Sequence, residues 1–182
     1  MGRFLDAYAD ADQVVSLSGN AVCACKRQFA RLLMGTPDGK RLTGLNRRLR
    51  EFSEFIVDVL GVTDAGASLA GTATLHQSCQ MTQVLGLRSQ APALLSHVEG
   101  LTFAPMEAPE RCCGFGGPFH ERQPELSACM AAEKLACARA TGADYLVGCE
   151  ASCLLNLKGH LGADDHVSVL HLAQVLDNPK EA

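Results

Sequence analysis

Hydrophobic positions along the chain fall into two patterns. Short apolar runs at residues 13–17, 72–76, 101–104 and 145–147 predict buried strands. Between these runs, apolar residues recur at helical spacing, as between Leu45 and Leu60. Alternating strands and helices are typical of proteins in which helices flank a parallel sheet. We therefore predict an α/β fold with a parallel sheet and a Rossmann-like repeat of strand and helix.

Local signals predict further elements. The segment Thr36–Gly39 predicts a turn, because proline presets φ and glycine accepts a positive φ. Other helices are predicted at about residues 21–34 and 80–85, after Pro92, from Pro124 to about Thr141, and in the tail from Val167 to Leu176.

Composition and charge narrow the function classes. The 182 residues carry a net charge of −4 without a long basic run, so we predict no nucleic-acid partner. No apolar segment reaches 18 residues, so we predict no membrane span. The first residues contain three aspartates and lack the apolar core of a signal peptide. We predict a cytoplasmic protein.

Nine cysteines carry the candidate chemistry. An odd number, in a chain of this size without a secretion signal, favours reduced thiols that hold a metal or cluster over a disulfide framework. Cys79, the pair Cys112 and Cys113, and then Cys149 and Cys153 form the main constellation, with 32 residues before the pair and 35 after it. Each group follows a predicted strand, and the carboxyl ends of parallel strands share one edge of a sheet. We expect these thiols to converge there.

A polynuclear cluster explains the adjacency of Cys112 and Cys113. A disulfide between neighbouring cysteines is strained, whereas both thiolates can face one iron–sulfur cluster. Gly114 and Gly116 are expected to let the backbone approach a bulky anion, with amide N–H groups donating to its sulfides. The alternative is a set of buried free cysteines that behave as small hydrophobic residues.

Other candidate ligands stay open at this point. Cys149 follows a predicted strand but does not complete a Cys-x-x-Cys motif with Cys153. His76 and His120 flank the constellation, and each is interpreted either as a ligand or proton relay, or as a hydrogen-bonding neighbour of the site.

Four further cysteines are interpreted as structural residues. Cys23 and Cys25 have no other candidate ligand nearby in the sequence. Cys129 and Cys137 lie within one predicted helix and are expected to pack in the core.

Four stretches of the sequence are similar to the cysteine-rich CCG family. They are Glu51–Leu60, His76–Cys79, Arg111–Gly117 and Ser152–Asn156. The doubled cysteine followed by Gly-Phe-Gly-Gly is the most specific of them. Within this family the chain resembles the lactate-utilisation protein A and glycolate oxidase iron–sulfur subunit types and, more distantly, the cysteine-rich component of heterodisulfide reductase.

The resemblance implies a cofactor and its ligands. Cys79, Cys112, Cys113 and Cys153 correspond to cluster ligands, with Cys149 as an open fifth candidate. The implied cofactor is a [4Fe-4S] cluster, which is non-cubane in the best-studied relatives, and zinc is the alternative.

The resemblance also implies a division of the chain, because family members carry two CCG repeats. Residues 1–65 are expected to be the C-terminal part of a first repeat and residues 66–182 a complete CCG domain, in a chain truncated at its N-terminus. Residues 11–15 resemble residues 143–147, as expected for two copies of one strand-to-helix unit. Glu150 replaces the first cysteine of the Cys-x-x-Cys motif that closes each repeat. An acidic residue also replaces it in lactate-type members of the family.

The implied function is that of an oxidoreductase subunit. The chain is expected to transfer electrons through its cluster in a complex that oxidises a 2-hydroxy acid, either L-lactate to pyruvate or glycolate. It is expected to work with partner subunits and not alone. The stretch Gly114-Phe115-Gly116-Gly117 does not follow the G-x-G-x-x-G fingerprint of dinucleotide sites, so hydride chemistry would belong to a partner. Two alternatives are a zinc-binding structural or interaction module and a thiol–disulfide redox subunit of the heterodisulfide reductase type.

Overall fold

The computed structural model describes residues 1–180, in which six strands form two parallel sheets. The strands are β1 Val14–Ser16, β2 Leu49–Glu51, β3 Ser68–His76, β4 Glu99–Phe103, β5 Tyr145–Gly148 and β6 Ser168–His171. The N-terminal sheet pairs β1 with β2, and the larger sheet has the order β4-β3-β5-β6. All registered pairs in both sheets are parallel.

Helices connect the strands, and three segments of the described chain are π-helical. The α-helices are α1 Gly2–Ala7, α2 Gly19–Cys23, α3 Ala30–Leu32, α4 Pro37–Asn46, α5 Phe52–Glu54, α6 Gln90–Leu95, α7 Phe119–Arg122, α8 Pro124–Arg139, α9 Ala151–Gly159 and α10 Leu172–Leu176. The π-helical segments are π1 Ala24–Phe29, which joins α2 to α3, π2 Phe55–Val59, which continues α5, and π3 Gln80–Leu85 after β3.

The strand order of the larger sheet creates a crevice between β3 and β5. The chain leaves β3 towards β4 on one side, and it leaves β5 towards β6 on the other. In open parallel sheets, ligands bind at such a switch point, outside the carboxyl ends of the strands. At that end, His76 is the register partner of Gly148. The topology therefore places the residues that follow β3 and β5 around one crevice.

Both faces of the larger sheet are buried, and β5 shows the alternation between them. Val147 belongs to a core that also contains Leu172 of α10. Leu146 belongs to the opposite core, with Leu157 of α9. A parallel strand covered on both faces has a continuous apolar sequence, which explains why residues 145–147 predict a strand.

The N-terminal sheet has a separate core, and its first strand leads into a capped helix. Ser18 begins α2 by accepting a hydrogen bond from the Ala21 amide. The His171 imidazole, at the end of β6, bonds to the Leu17 carbonyl over 2.9 Å. The carboxyl end of β1 therefore lies against the larger sheet. The core of this region consists of Leu5, Val14, Val22, Cys25, Leu42, Leu45 and Leu49.

The predicted α/β class, with parallel sheets flanked by helices, is confirmed. The prediction of one helix from Leu45 to Leu60 is wrong at Leu49–Glu51, which forms β2. Pairing with β1 satisfies this backbone and buries Leu49, and a non-local pairing of this kind leaves no trace in local spacing.

Two other local predictions are corrected. The segment Thr36–Gly39 is the start of α4, since the Thr36 hydroxyl accepts from the Gly39 amide and Pro37 occupies the first turn. The tail predicted as a helix contains β6 before α10. Among the described residues, no helix combines the length and the apolar character needed to cross a membrane.

Candidate metal centre

A loop across the carboxyl ends of the sheet carries the paired cysteines, and buried hydrogen bonds fix it. The Lys134 ammonium, fully buried on α8, donates to the carbonyls of Ala108 and Pro109 over 2.9 and 2.8 Å. The Asn156 amide on α9 donates to the Cys113 carbonyl over 2.8 Å. These contacts satisfy carbonyls of a partly buried loop. The backbone of the loop is therefore held from two helices.

Three thiols lie close together. The Cys112 thiol neighbours that of Cys113, and the Cys113 sulfur lies within 4.8 Å of the sulfur of Cys153 in the first turn of α9. The Gly114 amide donates to the Cys112 sulfur over 3.4 Å. Cys79 precedes π3 and is close enough to Cys112 for their charges to interact. The structure thus brings together four of the five cysteines singled out in the sequence.

These four cysteines line one cleft of about 320 Å³, within the size range of cofactor sites. The Glu150 carboxylate lies on the wall of the same cleft. The rest of the lining comes from the end of β3, from α2 and π1, and from the glycine-rich part of the loop. These residues are Asn20, Gln28, Ser78, Gln80, Phe115, Gly116, Gly117, Pro118 and Ser152.

Burial and neighbouring thiols raise the pKa values of Cys79, Cys112 and Cys113. The bond to Cys113, with burial, raises the pKa of Cys112 far above its usual range. At Cys113 the bond from Cys112 lowers the pKa, but the bond to Cys153 and burial outweigh it and bring the pKa to about 12. Burial, and then the charge of Cys112, raise the pKa of Cys79. Since metals bind thiolates, loading this site releases protons.

His76 lies beneath the thiols and has no hydrogen-bond partner. One of its ring nitrogens and the sulfurs of Cys113 and Cys153 all lie within 4.8 Å of one another. The side chain is 2% exposed, and neither Nδ1 nor Nε2 has a hydrogen-bond partner. Burial, reinforced by the charge of Lys134, lowers the pKa of His76 to about 3, so the imidazole is neutral. A buried polar group without a partner in a native protein needs an explanation.

Cys149 and Glu150 face opposite sides of the sheet. Cys149 packs with Val147 in the core that contains α10, and it does not line the cleft. Side chains alternate along a strand, so residues 147 and 149 share one face and residue 150 takes the other. The structure therefore places Glu150 at the cleft and Cys149 behind it, away from the other four cysteines.

The Glu150 carboxylate joins the two sheet regions. Its Oε2 atom accepts from the Ser18 hydroxyl and the Asn20 amide, each over 2.8 Å. Its Oε1 atom accepts from the Ser152 hydroxyl over 3.0 Å. Both oxygens are thus occupied, and the carboxylate serves as a bridge between α2 and the start of α9.

The loop glycines are needed for the path of the chain. Gly114 has a φ of +85°, and an added Cβ would lie 2.5 Å from the Ser127 carbonyl on α8. At Gly116, with a φ of +54°, a Cβ would meet Phe119 at 2.8 Å. Both glycines therefore let the loop turn and pack closely against the helices that follow it. Gly116 also lines the cleft.

The remaining candidates lie outside the cleft. The His120 ring stacks on Phe115 with a centroid distance of 4.6 Å and bonds to the Gly117 carbonyl. The Cys23 thiol donates to the Gln80 carbonyl over 3.6 Å, while Cys25 is buried in the N-terminal core.

The two cysteines of α8 differ from their predicted place in the core. Cys129 is exposed, which makes that prediction wrong for this residue. Cys137 is half-buried and packs against the core beneath α8 and α9.

Comparison with known proteins agrees with this arrangement. The family profile of the CCG cysteine-rich domain matches residues 73–158, which include β5 and the carboxyl end of β3. Lactate utilization protein A of Bacillus subtilis (strain 168) is 41% identical over 180 residues, or 98% of this chain and 75% of the relative. The chain belongs to the lactate utilization protein A family. Other members of this family include the protein of Bacillus cereus (strain G9842), 40% identical over 181 residues, with the same shares of the two chains covered.

Two residues of the site have roles that the sequence did not predict. Lys134 lies on a helix whose other charged residues are exposed, and only its position beside Leu135 and Ala138 in the apolar repeat signals burial. Glu150 drew attention as a replacement for a cysteine, but its bonds to Ser18 and Asn20 depend on a contact between distant segments. In this lactate utilization protein A family member, both residues hold the elements that carry the thiols.

Proposed function

We propose that this chain holds an iron–sulfur cluster and passes electrons through it during the oxidation of a 2-hydroxy acid, with L-lactate as the leading substrate. The convergence of Cys79, Cys112, Cys113 and Cys153 on one cleft is the observation that carries the proposal. Thiolates are the usual protein ligands of such clusters, so the donor set fits the group. The relatives at 40–41% identity are named for lactate utilization, and this supports the choice of substrate.

The residues around the cleft have separate roles in this proposal. The four cysteines hold the cluster, and Lys134 fixes the loop that carries two of them. When bound, the cluster supplies a site for one-electron transfer. Cys149 is left out, because it packs in the core on the other side of β5. Glu150 is also left out, because both its oxygens accept hydrogen bonds from the protein.

The proposal assigns substrate chemistry to partner subunits. Neither a flavin nor a nicotinamide fingerprint is present in the sequence. We also propose that residues 1–65 and 66–182 represent the end of one CCG repeat and a second, complete repeat. The described cysteines are all free thiols, which favours a reducing compartment such as the cytoplasm.

Zinc is the second candidate for this site. Cys113, Cys153 and His76 form a donor set that suits zinc as well as iron. A thiol–disulfide enzyme has less support, because such an enzyme needs an accessible thiol of low pKa. Here burial and neighbouring thiols raise the pKa values of Cys79, Cys112 and Cys113.

Anaerobic purification and reconstitution test the cluster. Iron, sulfide and zinc are measured, and the visible absorption spectrum is recorded. We expect a brown protein with near-equal iron and sulfide, and loss of both in the Cys112→Ser/Cys113→Ser variant. Cys129→Ser is the matched control, because this cysteine is exposed and lies outside the cleft. A colourless protein with one zinc, or with no metal after reconstitution, would overturn the proposal.

A growth experiment tests the substrate. The gene is deleted in the source organism, and growth on L-lactate as the sole carbon source is compared with growth on glycolate and on pyruvate. We expect a defect on L-lactate that the wild-type gene restores and the Cys112→Ser/Cys113→Ser gene does not. A defect confined to glycolate would transfer the assignment to that acid, and normal growth on both acids would refute it.

A further inference from the structure

The site contains a nitrogen donor that the cysteine pattern does not include. We propose that His76 is a metal ligand and forms, with Cys113 and Cys153, a preformed site for a single divalent d-block ion. This site uses two thiols of the proposed cluster site, but it requires neither sulfide nor a complete cluster. The inference therefore stands apart from the proposed electron transfer.

The spacing of the three donor atoms fits one ion. Around a tetrahedral ion with metal–sulfur and metal–nitrogen distances of about 2.3 and 2.0 Å, donor atoms lie roughly 3.5–3.8 Å apart. The ring nitrogen of His76 and the sulfurs of Cys113 and Cys153 lie within 4.8 Å of one another. Shortening each separation by at most about 1.0–1.3 Å thus brings each pair to the coordinated distance.

The surroundings of the imidazole suit coordination. The His76 side chain is 2% exposed, and neither of its ring nitrogens has a hydrogen-bond partner, so a ring nitrogen can serve as a donor to a metal. Burying an unpartnered polar group is unfavourable. A metal–nitrogen bond would compensate for that penalty.

The three donor residues belong to different elements of the fold, and each element is held in place. His76 ends β3, Cys113 lies on the anchored loop, and Cys153 lies in the first turn of α9. His76 is also the register partner of Gly148 on β5, and this pairing fixes the position of His76 relative to α9, which follows β5. Donors set in this way need little reorganisation to bind an ion.

The fourth coordination position faces the cleft. Cys113 and Cys153 line the cleft, and the Cys112 thiol is bonded to Cys113 on that side. Three protein ligands with one open position are typical of zinc sites that exchange a ligand. The mixed nitrogen and sulfur donor set favours Zn²⁺, Fe²⁺ or Co²⁺ over Mg²⁺ or Ca²⁺.

Cobalt(II) titration of the full-length, metal-free protein, without sulfide and under anaerobic conditions, tests the site. Thiolate ligation gives an intense charge-transfer absorption, and tetrahedral geometry gives visible bands. We expect one equivalent to bind with both features, and His76→Asn to weaken binding about tenfold or more. His76→Cys should retain binding with stronger charge-transfer absorption, because a third thiolate replaces the nitrogen.

Controls separate ligation from folding. His97→Asn is the matched control, since this exposed histidine bonds to the Ala93 carbonyl, does not line the cleft and should leave the titration unchanged. Circular dichroism of each metal-free variant reports whether it folds. If folded His76→Asn binds cobalt with wild-type affinity and spectrum, the inference is wrong, whatever the outcome of cluster reconstitution. If cobalt binding depends on His76 but no cluster assembles, the inference stands and the electron-transfer proposal fails.

Discussion

Two parallel strands of this protein, β1 and β5, end in the same local design but lead to different chemistry. β1 runs into Ser18, which caps α2, and β5 runs into Glu150 at the start of α9. At β5 the first helical turn carries Cys153 into the cleft. At β1 the corresponding helix directs its cysteines elsewhere, with Cys25 buried in the N-terminal core.

The difference shows that the strand-to-helix unit is a scaffold, and that the groups presented at the start of its helix decide its role: a thiol at β5, and the Ser18 hydroxyl with the Asn20 backbone N–H at β1. The β5 unit presents a thiol to the candidate metal centre. The β1 unit presents hydrogen-bond donors, Ser18 and Asn20, which bind the Glu150 carboxylate of the other unit. One unit therefore carries the chemistry, and the other closes the wall of the cleft and holds it in place.

Removing the carboxylate is the most direct way to separate the two units. We expect Glu150→Ala to lower the free energy of unfolding by about 3 kcal/mol. The Ser18 hydroxyl and the Asn20 backbone N–H lose their acceptor, and the bonds that are lost are charge-assisted. Glu150→Gln should lower it by less than about 1 kcal/mol, since the amide oxygen can accept both bonds. Urea unfolding followed by circular dichroism measures both changes. An unchanged midpoint for Glu150→Ala would show that this carboxylate does not join the units.

The second prediction concerns the loop on the β5 side. Lys134→Met should destabilise the protein by about 2 kcal/mol at pH 7, because the carbonyls of Ala108 and Pro109 lose their donor. Relief of the buried charge offsets part of this loss. Lys158→Met is the matched control, because that lysine lies exposed on α9. If Lys134→Met lost no more stability than the control, the ammonium would not be holding the loop.

The pKa of Lys134 leads us to expect that its contribution to stability depends on pH. Burial lowers the Lys134 pKa to about 8 from its usual value of 10.5. Between these values the unfolded chain binds more protons at this residue, so its contribution to stability rises with pH. Between pH 8 and pH 10, we expect the free energy of unfolding of the wild type to rise by on the order of 1–2 kcal/mol relative to that of Lys134→Met. Urea unfolding of both proteins at several pH values measures this difference, and a difference that does not change with pH would contradict the shifted pKa.

The smallest effect is expected on the β1 side. Cys25→Ser places a hydroxyl in the N-terminal core and should destabilise the protein by about 1 kcal/mol. Iron and sulfide content after reconstitution should stay at the wild-type level, because Cys25 does not line the cleft. Cys113→Ser provides the comparison, with loss of iron. Loss of iron in Cys25→Ser would break the division of roles between the two units.

Local sequence was sufficient for those features that depend on the spacing of neighbouring residues. The apolar run before Cys149 predicted β5, and the run before Cys79 predicted the end of β3. Since carboxyl ends of parallel strands share an edge, the convergence of Cys79, Cys112, Cys113 and Cys153 could be anticipated. Their assignment as ligands stays a prediction until a metal is measured.

Other features depend on contacts that local spacing does not contain. β2 exists because Leu49 pairs with Val14, which lies far back along the chain, so local periodicity favoured a helix. The isolation of the His76 ring depends on how the loop and α9 cover it. The position of Cys149 is a different case, because counting alternate residues along β5 from Val147 would have placed it away from the cleft.

The close packing of Cys112 and Cys113 also affects how the metal-free site reacts with electrophiles and oxidants. A thiol reacts as its thiolate, and burial together with the neighbouring thiols raises the pKa of Cys113. Cys113 is therefore expected to react slowly, and alkylation with iodoacetamide should modify the exposed Cys129 well before Cys113. Slow alkylation and oxidation of this kind would leave the thiol free for a metal that reaches the cleft later.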